Sequence, residues 1–383
     1  MAKILPEVAK TLRHHILTMT TAAGSGHPTS SLSATDVMSE LMFGDWFKFD
    51  TTNPAHPNND RLIFSKGHAS PLFYALWAVA GGIPNEELLT LRKFGSRLEG
   101  HPTLHFPFTE AATGSLGQGL SVGVGMALSA KYLDKLPYKT YVLLGDSEMA
   151  EGSNWEAMMS AAHYKLDNLI AIVDVNRLGQ RGATMFAHDT TNYQKKAEAF
   201  GWKTIVIDGH NPKQIEKAFS LAQKTKQPFM IIAKTIKGKG VKWLENKEGW
   251  HGKALNAIEL QKALKELGKV DVNLIVPLKK PADKKPAKLK VKPLAEIDQA
   301  ADYSKAFSTR EAYGHALVEL FPHYPNMVVL DAEVSNSSFA ETFKNKYPQN
   351  FFEMFIAEQN MVGVAVGLSQ RGKIPFVSTF AAF

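Results

Sequence analysis

Apolar residues fall in short continuous runs, separated by helical stretches, through the first two thirds of the chain. Runs of strand length stand at 141–144, 169–175, 204–208 and 229–235. Helical patterns lie between them, as at 155–164 and 214–222. Strands buried on both faces read as continuous apolar runs, so the alternation predicts an α/β fold: a parallel sheet flanked by helices.

The same pattern restarts near residue 309. It predicts in turn a helix, a strand, a helix, a strand and, after one more helix, a last strand, at 309–320, 327–331, 339–343, 351–357 and 374–380. Three strands without a closing helix would leave an open apolar edge. We therefore expect a second, truncated α/β domain of the same type and a chain that is a fragment of a longer protein.

A segment rich in lysine and proline separates the two patterns. Residues 277–293 carry seven lysines and one aspartate, and so hold most of the formal net charge of +7. Such a segment buries too little apolar surface to offset its ordering entropy, which predicts an extended linker. A nucleic-acid patch is the alternative, but no aromatic residues interleave the lysines to stack on bases. The predicted domains are 1–276 and 304–383, with the linker at 277–303.

Composition narrows the class of protein. The chain is 44% hydrophobic and 21% charged, as in ordinary globular proteins. No apolar run approaches the ~20 residues that cross a bilayer. Charged residues interrupt the first twenty positions, which predicts an amphipathic helix of a cytoplasmic protein rather than a secretory signal. The absence of cysteine excludes disulfides, thiolate metal sites and a cysteine nucleophile.

Oxygen-bearing side chains follow two of the predicted strands. Asp146 comes just after the run at 141–144, and Asn176 follows the run at 169–175. Ligands of parallel sheets bind beyond the carboxyl ends of the strands, and oxygen ligands suit Mg²⁺. The alternative is that Asp146 only caps the helix starting near Glu151.

A glycine-rich stretch at 112–130 is a candidate phosphate cradle. Gly114, Gly117 and Gly119 precede a helix whose amino end would face an anion. Glycines that only permit tight packing are the alternative. The stretch lacks both the Walker ending and the dinucleotide fingerprint.

Four histidines and one glutamate stand in candidate catalytic positions. His27, His68, His101 and His251 each lie beside glycine or proline in predicted loops, which favours acid–base and hydroxyl-binding roles over ordinary surface positions. Glu358 lies between an apolar strand and an apolar helix. It either interacts with the helix dipole or has its pKa raised by dry surroundings.

In their order along the chain, these motifs resemble those of transketolases. The resemblance spans essentially the whole chain, is closest to the shorter, animal-type branch, and is carried by GSGHPTSS, SKGHAS, GHPT, TGSLGQGLSVGVGMAL, GDSEMAEGSNWEA, VNRLGQ, KTIKGKG, WHGK, STREAYG, IAEQNM and STFAAF. It implies a thiamine diphosphate-binding fold with Mg²⁺, for which Ca²⁺ or Mn²⁺ could substitute. The implied reaction, in the pentose phosphate pathway, moves a two-carbon ketol unit from a ketose phosphate such as xylulose 5-phosphate to an aldose phosphate such as ribose 5-phosphate. The implied assembly is a homodimer with its active site between the subunits, and no nucleic acid or membrane is expected as a partner.

The resemblance also implies roles for individual residues. The magnesium ligands would be Asp146, Asn176 and the carbonyl of Leu178. The cofactor contacts would be Ser30, His68, Gly114, Ser115, Leu116, Ser147, Asn176, Lys237, His251, Phe380 and Phe383. Glu358 would hydrogen-bond the aminopyrimidine ring and so favour loss of the thiazolium C2 proton. His27, His101 and His251 would handle substrate hydroxyl protons, while Arg310 and Ser337 would hold the acceptor's phosphate.

Two features depart from the family pattern. Ser147 stands where the family has glycine, and would crowd the diphosphate if that position needs a positive φ. The chain also ends inside the second domain, so we expect the fragment alone to be inactive. A non-catalytic cofactor-binding or dimerisation module is therefore the alternative to a transketolase. A dihydroxyacetone synthase or a deoxyxylulose phosphate synthase is a further alternative. Histidines 27, 101 and 251 favour transketolase over the latter.

Overall fold

The structure is a computed structural model of the 383-residue chain, and it describes residues 4–293, 306 and 308–382. Two predictions fall outside these residues: the linker part 294–303 with the domain start at 304, and the cofactor contact at Phe383. The other predicted site residues lie within them.

Helices and strands alternate along the chain. The helices are α1 (Leu5–Ala23), α2 (Pro28–Phe43), α3 (Ser70–Val79), α4 (Gly119–Leu128), α5 (Gly152–His163), α6 (Thr190–Ala199), α7 (Pro212–Ala222), α8 (Ala257–Leu267), α9 (Thr309–Leu320), α10 (Ser335–Ser338), α11 (Ala340–Lys346) and α12 (Glu358–Ser369). The strands are β1 (Arg61–Phe64), β2 (Thr140–Gly145), β3 (Leu169–Val175), β4 (Lys203–Asp208), β5 (Phe229–Lys234), β6 (Met327–Asp331), β7 (Phe351–Glu353) and β8 (Ile374–Ser378).

The first sheet is parallel and runs in the order β1-β2-β3-β5-β4. Successive strand residues face opposite sides, so Leu143 and Ile172 pack in the core with α1, α2 and α3. Leu144 and Val173 pack in the core with α4 and α5. Both faces are therefore covered, which explains the continuous apolar runs and confirms the predicted parallel sheet. The four-residue strand β1 was not predicted.

The second sheet has three parallel strands in the order β7-β6-β8. Two strand predictions were too long: β7 ends at Glu353, shortly before Phe355 turns to φ 59°, and β8 ends at Ser378. At the edge strand β8, Ile374 and Val377 are 39% and 40% exposed. The described part of this sheet thus presents apolar side chains at one edge.

Helices α4 and α12 join the two sheets through glycines. A Cβ added at Gly125 would lie 2.1 Å from the carbonyl oxygen of Val364, and one at Gly367 would lie 2.1 Å from that of Val122. Gly363 similarly meets the side chain of Ser121. The absence of side chains at these positions lets the two helix backbones touch, as glycine permits. We call this contact the glycine crossing.

The lysine-rich segment contains no helix within its described residues 277–293, but its backbone contacts the body. The Phe49 N–H donates to the carbonyl of Lys279 at 2.8 Å, and Asn58 Nδ2 donates to the carbonyl of Ala282 at 2.8 Å. Further along, the Lys292 N–H donates to the carbonyl of Pro322 at 2.9 Å. The domain boundaries placed around this segment stay a prediction.

Candidate active site

A pocket of about 270 Å³ opens at the carboxyl ends of β2 and β3. These strands are parallel neighbours, so the residues that follow them share one edge of the sheet. The structure brings together in its lining nine residues predicted from the sequence: Ser30, His68, Leu116, Asp146, Ser147, Asn176, Leu178, Lys237 and His251. We call this the cofactor pocket.

Asp146 is buried at the rim of this pocket. Its Oδ2 accepts the Arg177 N–H at 2.7 Å and the Thr184 hydroxyl at 3.1 Å, while Oδ1 accepts the Ser147 N–H at 3.0 Å. Burial, and then the neighbouring Asp174 carboxylate, raises the pKa of Asp146 to about 6. A cation beside this carboxylate would stabilise its charged form.

The helix-capping alternative for Asp146 applies only to a short turn. Asp146 caps the single 3₁₀ turn Ser147–Ala150, whereas α5 begins at Gly152 with Glu151 as its N-cap. Asp146 therefore does not cap α5, and one of its oxygens carries only a single hydrogen bond.

Asn176 and Leu178 bring further oxygens to the same pocket. Asn176 Nδ2 donates to Asp174 at 3.0 Å, and its Oδ1 accepts the Leu178 N–H at 3.2 Å. The Leu178 carbonyl accepts from Lys237 Nζ at 2.7 Å. Carboxylate, amide and carbonyl oxygens are the ligands that Mg²⁺ prefers, so this donor set fits that ion. Among the described residues no cluster of three or more His, Cys, Asp or Glu could hold a metal, and this donor set has a single carboxylate.

Two residues that sequence reasoning missed hold the pocket together. The Lys66 ammonium lies 2.5 Å from Asp174 Oδ2, and both side chains are 1% exposed. Burial opposes the charged form of Asp174, but Lys66 and hydrogen bonds from Ser33 and Thr235 outweigh it and lower the pKa. Asp174 was detectable as the only charged residue of an apolar strand, and Lys66 as a neighbour of the SKGHAS histidine.

Positive and polar groups also line the pocket. Burial, and then Lys66, lowers the pKa of Lys237 to about 8, so this lysine still carries its proton at neutral pH. Ser30 is 1% exposed, and its hydroxyl has no hydrogen-bond partner among the described residues. Ser30 also lies in the first turn of α2, where backbone amides face outward. These groups fit an anion such as a diphosphate.

The four candidate histidines lie together although they come from separate loops. The His27 ring lies 5.1 Å from His68, 6.3 Å from His101 and 5.0 Å from His251, between ring centroids. Burial is the main cause that lowers all four pKa values, to about 4 for His27 and about 3 for His251. The imidazoles are therefore neutral at pH 7, and each can accept or donate a proton.

The glycine-rich loop is shaped by packing as much as by ligand access. Gly114 and Gly117 have φ of 140° and 84°, and a Cβ at Gly117 would lie 2.5 Å from Glu151. The Gly117 N–H donates to the buried Glu148 at 2.9 Å, and the Gly119 N–H donates to Ser65 at 3.1 Å. These two amides are thus already used within the protein. Leu116 lines the cofactor pocket, but Gly114 and Ser115 are not among its lining residues.

Ser147 fits the conformation of its turn. It begins a 3₁₀ turn after Asp146 and is not among the described residues with positive φ. Its side chain is exposed at the pocket. The condition under which this serine would crowd the diphosphate, a positive φ, is not met at this position.

The remaining predicted residues lie in the second sheet's body, outside the lining of the cofactor pocket. Glu358 is the first residue of α12, is half-buried, and accepts the Thr379 hydroxyl at 3.2 Å. Arg310 Nη1 donates to the carbonyl of Ser337 at 2.8 Å, which places these two together. Phe380 is 45% exposed.

Comparison with known families accounts for this arrangement. The family "Transketolase, thiamine diphosphate binding domain" matches residues 5–313, and "Transketolase, pyrimidine binding domain" matches residues 305–383. The chain belongs to the transketolase family. The predicted family and fold class are therefore confirmed, and the matched domains are those that bind thiamine diphosphate in transketolases.

Individual relatives agree with this membership. Transketolases of Mus musculus and Homo sapiens are each 45% identical over 99% of the chain, which covers 61% of either relative. The chain thus spans about three fifths of the length of these relatives. A transketolase structure from Campylobacter jejuni superposes with a TM-score of 0.87 at 30% identity, over 99% of this chain and 65% of that one. Transketolase from Leishmania mexicana shares the fold. It superposes with a TM-score of 0.84 at 24% identity, over 98% of this chain and 64% of that one. No helix among the described residues is long and apolar enough to span a membrane.

Proposed function

We propose that this chain contributes the cofactor-binding half of a transketolase that moves a two-carbon ketol unit from a ketose phosphate to an aldose phosphate. The observation that carries the proposal is the cofactor pocket, whose lining brings Asp146, Asn176 and Leu178 together with Lys237, His68 and His251. Oxygen ligands beside buried cationic groups suit a magnesium-bound diphosphate.

The cofactor would be held at its diphosphate end. Asp146, Asn176 and the Leu178 carbonyl would bind Mg²⁺, while Lys237 and the Ser30 hydroxyl would donate to phosphate oxygens. When bound, thiamine diphosphate supplies a thiazolium carbon that becomes nucleophilic on losing its proton. Asp174, by holding Asn176 and Lys66, keeps these groups in place.

The histidine cluster would bind substrate hydroxyls and move their protons. Lys237 Nζ lies 2.8 Å from His251 Nδ1, and since a lysine ammonium only donates, His251 Nδ1 is the acceptor. The neutral His251 then carries its proton on Nε2, which is placed to donate. His27 Nδ1 is buried without a partner among the described residues, so it is available to a ligand.

The second half of the site would come from another copy of the chain. We propose a homodimer in which Asp146 of one subunit and Glu358 of the other serve one active site. Thr379 donates to Oε1 of Glu358, which leaves Oε2 to share a hydrogen bond with a nitrogen of the aminopyrimidine ring. Exposed apolar residues next to Glu358 support an interface here, because Ile356, Val362 and Val366 are 76%, 56% and 40% exposed. A cytoplasmic location remains a prediction.

Binding of thiamine diphosphate, measured by titration calorimetry with and without Mg²⁺, tests the pocket. We expect Asp146→Ala to weaken binding by at least about tenfold, since removing even an outer-shell partner of a metal costs that much, and to remove its dependence on Mg²⁺. Asp208→Ala is the matched control, since Asp208 also ends a strand of the sheet but is exposed and lies outside the pocket. Binding that is equally tight in Asp146→Ala and without Mg²⁺ would refute the metal site.

Turnover assays separate the enzyme alternatives. Xylulose 5-phosphate with ribose 5-phosphate tests transketolase, formaldehyde as acceptor tests a dihydroxyacetone synthase, and pyruvate with glyceraldehyde 3-phosphate tests a deoxyxylulose phosphate synthase. In the assembled enzyme, Glu358→Ala should abolish turnover and leave Mg²⁺-dependent cofactor binding measurable. Cofactor binding without turnover by the 383-residue chain alone supports the binding or dimerisation module. Turnover by that chain alone excludes it.

A further inference from the structure

A second cavity, of about 470 Å³, lies at the opposite edge of the first sheet. Its lining includes Lys139 and Asn168, which directly precede β2 and β3, whereas the cofactor pocket lies where those strands end. The two linings share no residue. At about 3.3 Å per residue, the six-residue strand β2 separates them by roughly 20 Å.

This cavity, which we call the lysine pocket, has a large excess of positive charge. It is lined by one carboxylate, that of Asp167, and by five lysines, Lys131, Lys135, Lys139, Lys226 and Lys284. Lys131 pairs with Asp167 at 2.8 Å. No ion pair joins the other four lysines to a carboxylate among residues 4–293, 306 and 308–382.

Of these four lysines, Lys139 gives the strongest support for an anion site, because its ammonium is partly buried and weakly bonded. Its ammonium contacts the carbonyl of Ala222 at 3.4 Å, which is a weak hydrogen bond. Burial is the main cause that lowers its pKa; the Asp60 and Asp167 carboxylates oppose this shift without reversing it, and Lys48 and Lys226 add to it. A partly desolvated ammonium with a weak partner gains more from an incoming anion than a fully hydrated lysine does.

Lys284 reaches the pocket because its segment is docked on the body. The hydrogen bond from Asn58 to the Ala282 carbonyl lies two residues away, and His56 Nε2 lies 3.6 Å from Asp283. The wall of the pocket that this lysine supplies is therefore positioned by backbone and side-chain contacts.

We propose that the lysine pocket binds a small metabolite that carries two phosphate groups. A phosphomonoester carries about −1.5 to −2 charges at pH 7, so two of them match the four unpaired lysines. The volume lies in the range of about 300–1,000 Å³ that is typical of small-molecule sites. Leu136 and Pro137 add apolar surface for the carbon skeleton between the phosphates. The proposal is independent of the chemistry at Asp146.

Calorimetric titration with fructose 1,6-bisphosphate as the probe tests the site. The chain is first saturated with thiamine diphosphate and Mg²⁺, so that the cofactor pocket is occupied. Inorganic phosphate at the same ionic strength controls for screening. The variant Lys135→Glu/Lys226→Glu reverses two pocket charges, whereas Lys213→Glu/Lys217→Glu reverses two exposed charges on α7, outside the pocket. Lys135→Arg/Lys226→Arg keeps the charge and checks that the site tolerates substitution.

We expect one probe molecule per chain, at least about tenfold weaker binding in the pocket Glu variant, and less than about twofold change in the α7 variant. The Arg variant should bind like the unaltered chain. Cofactor affinity should be the same in all variants, which separates this site from the proposed function. Absence of probe binding, equal weakening in both Glu variants, or phosphate binding as tight as the bisphosphate would each overturn the proposal.

Discussion

Replacing Asp174 by alanine is expected to destabilise the folded chain by about 3–5 kcal/mol, because it leaves a buried ammonium without its counter-charge. The carboxylate is 1% exposed and accepts from Lys66 at 2.5 Å and from Asn176 at 3.0 Å. It also accepts the hydroxyls of Ser33 at 2.6 Å and Thr235 at 2.5 Å. These losses overlap rather than add, since the four donors share one group.

Urea unfolding followed by tryptophan fluorescence measures this cost. Asp167→Ala is the control, because it removes the carboxylate of the half-exposed Lys131–Asp167 pair and should cost only about 0–1 kcal/mol. The double variant Lys66→Met/Asp174→Ala also removes the buried ammonium that Asp174→Ala leaves unpaired, so it should be more stable than Asp174→Ala alone.

The pH dependence gives the prediction a second test. Because Lys66 and its hydrogen-bonded neighbours outweigh burial and lower the folded-state pKa of Asp174, its stabilisation is present above the unfolded value of about 3.9. It is lost as pH falls through the lower folded pKa. The difference between the unaltered chain and Asp174→Ala should therefore shrink only in acid. Equal costs for Asp174→Ala and Asp167→Ala, or no recovery in the double variant, would refute the reasoning.

Three further predictions concern the histidines, the glycine-rich loop and the turn after Asp146. The pKa values of about 4 for His27 and about 3 for His251 lie below the ordinary 6.5, so the unfolded chain takes up protons first as pH falls. The unaltered chain should thus lose more stability than His27→Gln/His251→Gln between pH 6.5 and about 4, as read from urea midpoints. In the same assay Gly182→Ala should lower the free energy of unfolding by about 1–2 kcal/mol, because φ is 75° there although the added Cβ meets open space. Gly117→Ala should cost about 1–3 kcal/mol more, because its Cβ also meets Glu151. Equal costs for the two variants would contradict the packing argument. Ser147→Gly should change cofactor affinity by less than about threefold in calorimetry, because the serine already fits its turn; a larger gain would show that the serine crowds the ligand.

The sheet could be predicted from the sequence because its strands are buried on both faces. Helix α2 could not, because its buried face is rich in serine and threonine. Ser31 and Ser39 bond the carbonyls four residues earlier, at 3.1 and 2.7 Å, and so become buried without apolar side chains. Because these buried residues are polar, they leave no apolar periodicity from which the helix could be predicted.

The candidate site was predictable in its residue types but not in its connections. The strand ends fixed where Asp146 and Asn176 would lie, since parallel neighbours share an edge. The contact between His27 and His251 joins loops more than two hundred residues apart, and only the folded chain brings them together. The Lys66–Asp174 pair links two strand ends in the same way, and no short motif contains it.

The glycine crossing has a mechanical consequence. Gly125 and Gly367 face backbone carbonyls, so no side-chain rearrangement can make room there for even a methyl group. The two helices are therefore expected to move together as one rigid unit. Helix α4 continues the loop that carries Leu116, and α12 starts with Glu358. Ser121 meets Gly363 and Gly125 meets Gly367, so the contact runs from the amino-terminal half of each helix onward, and a tilt of α12 at Glu358 would also move the start of α4 and the loop before it.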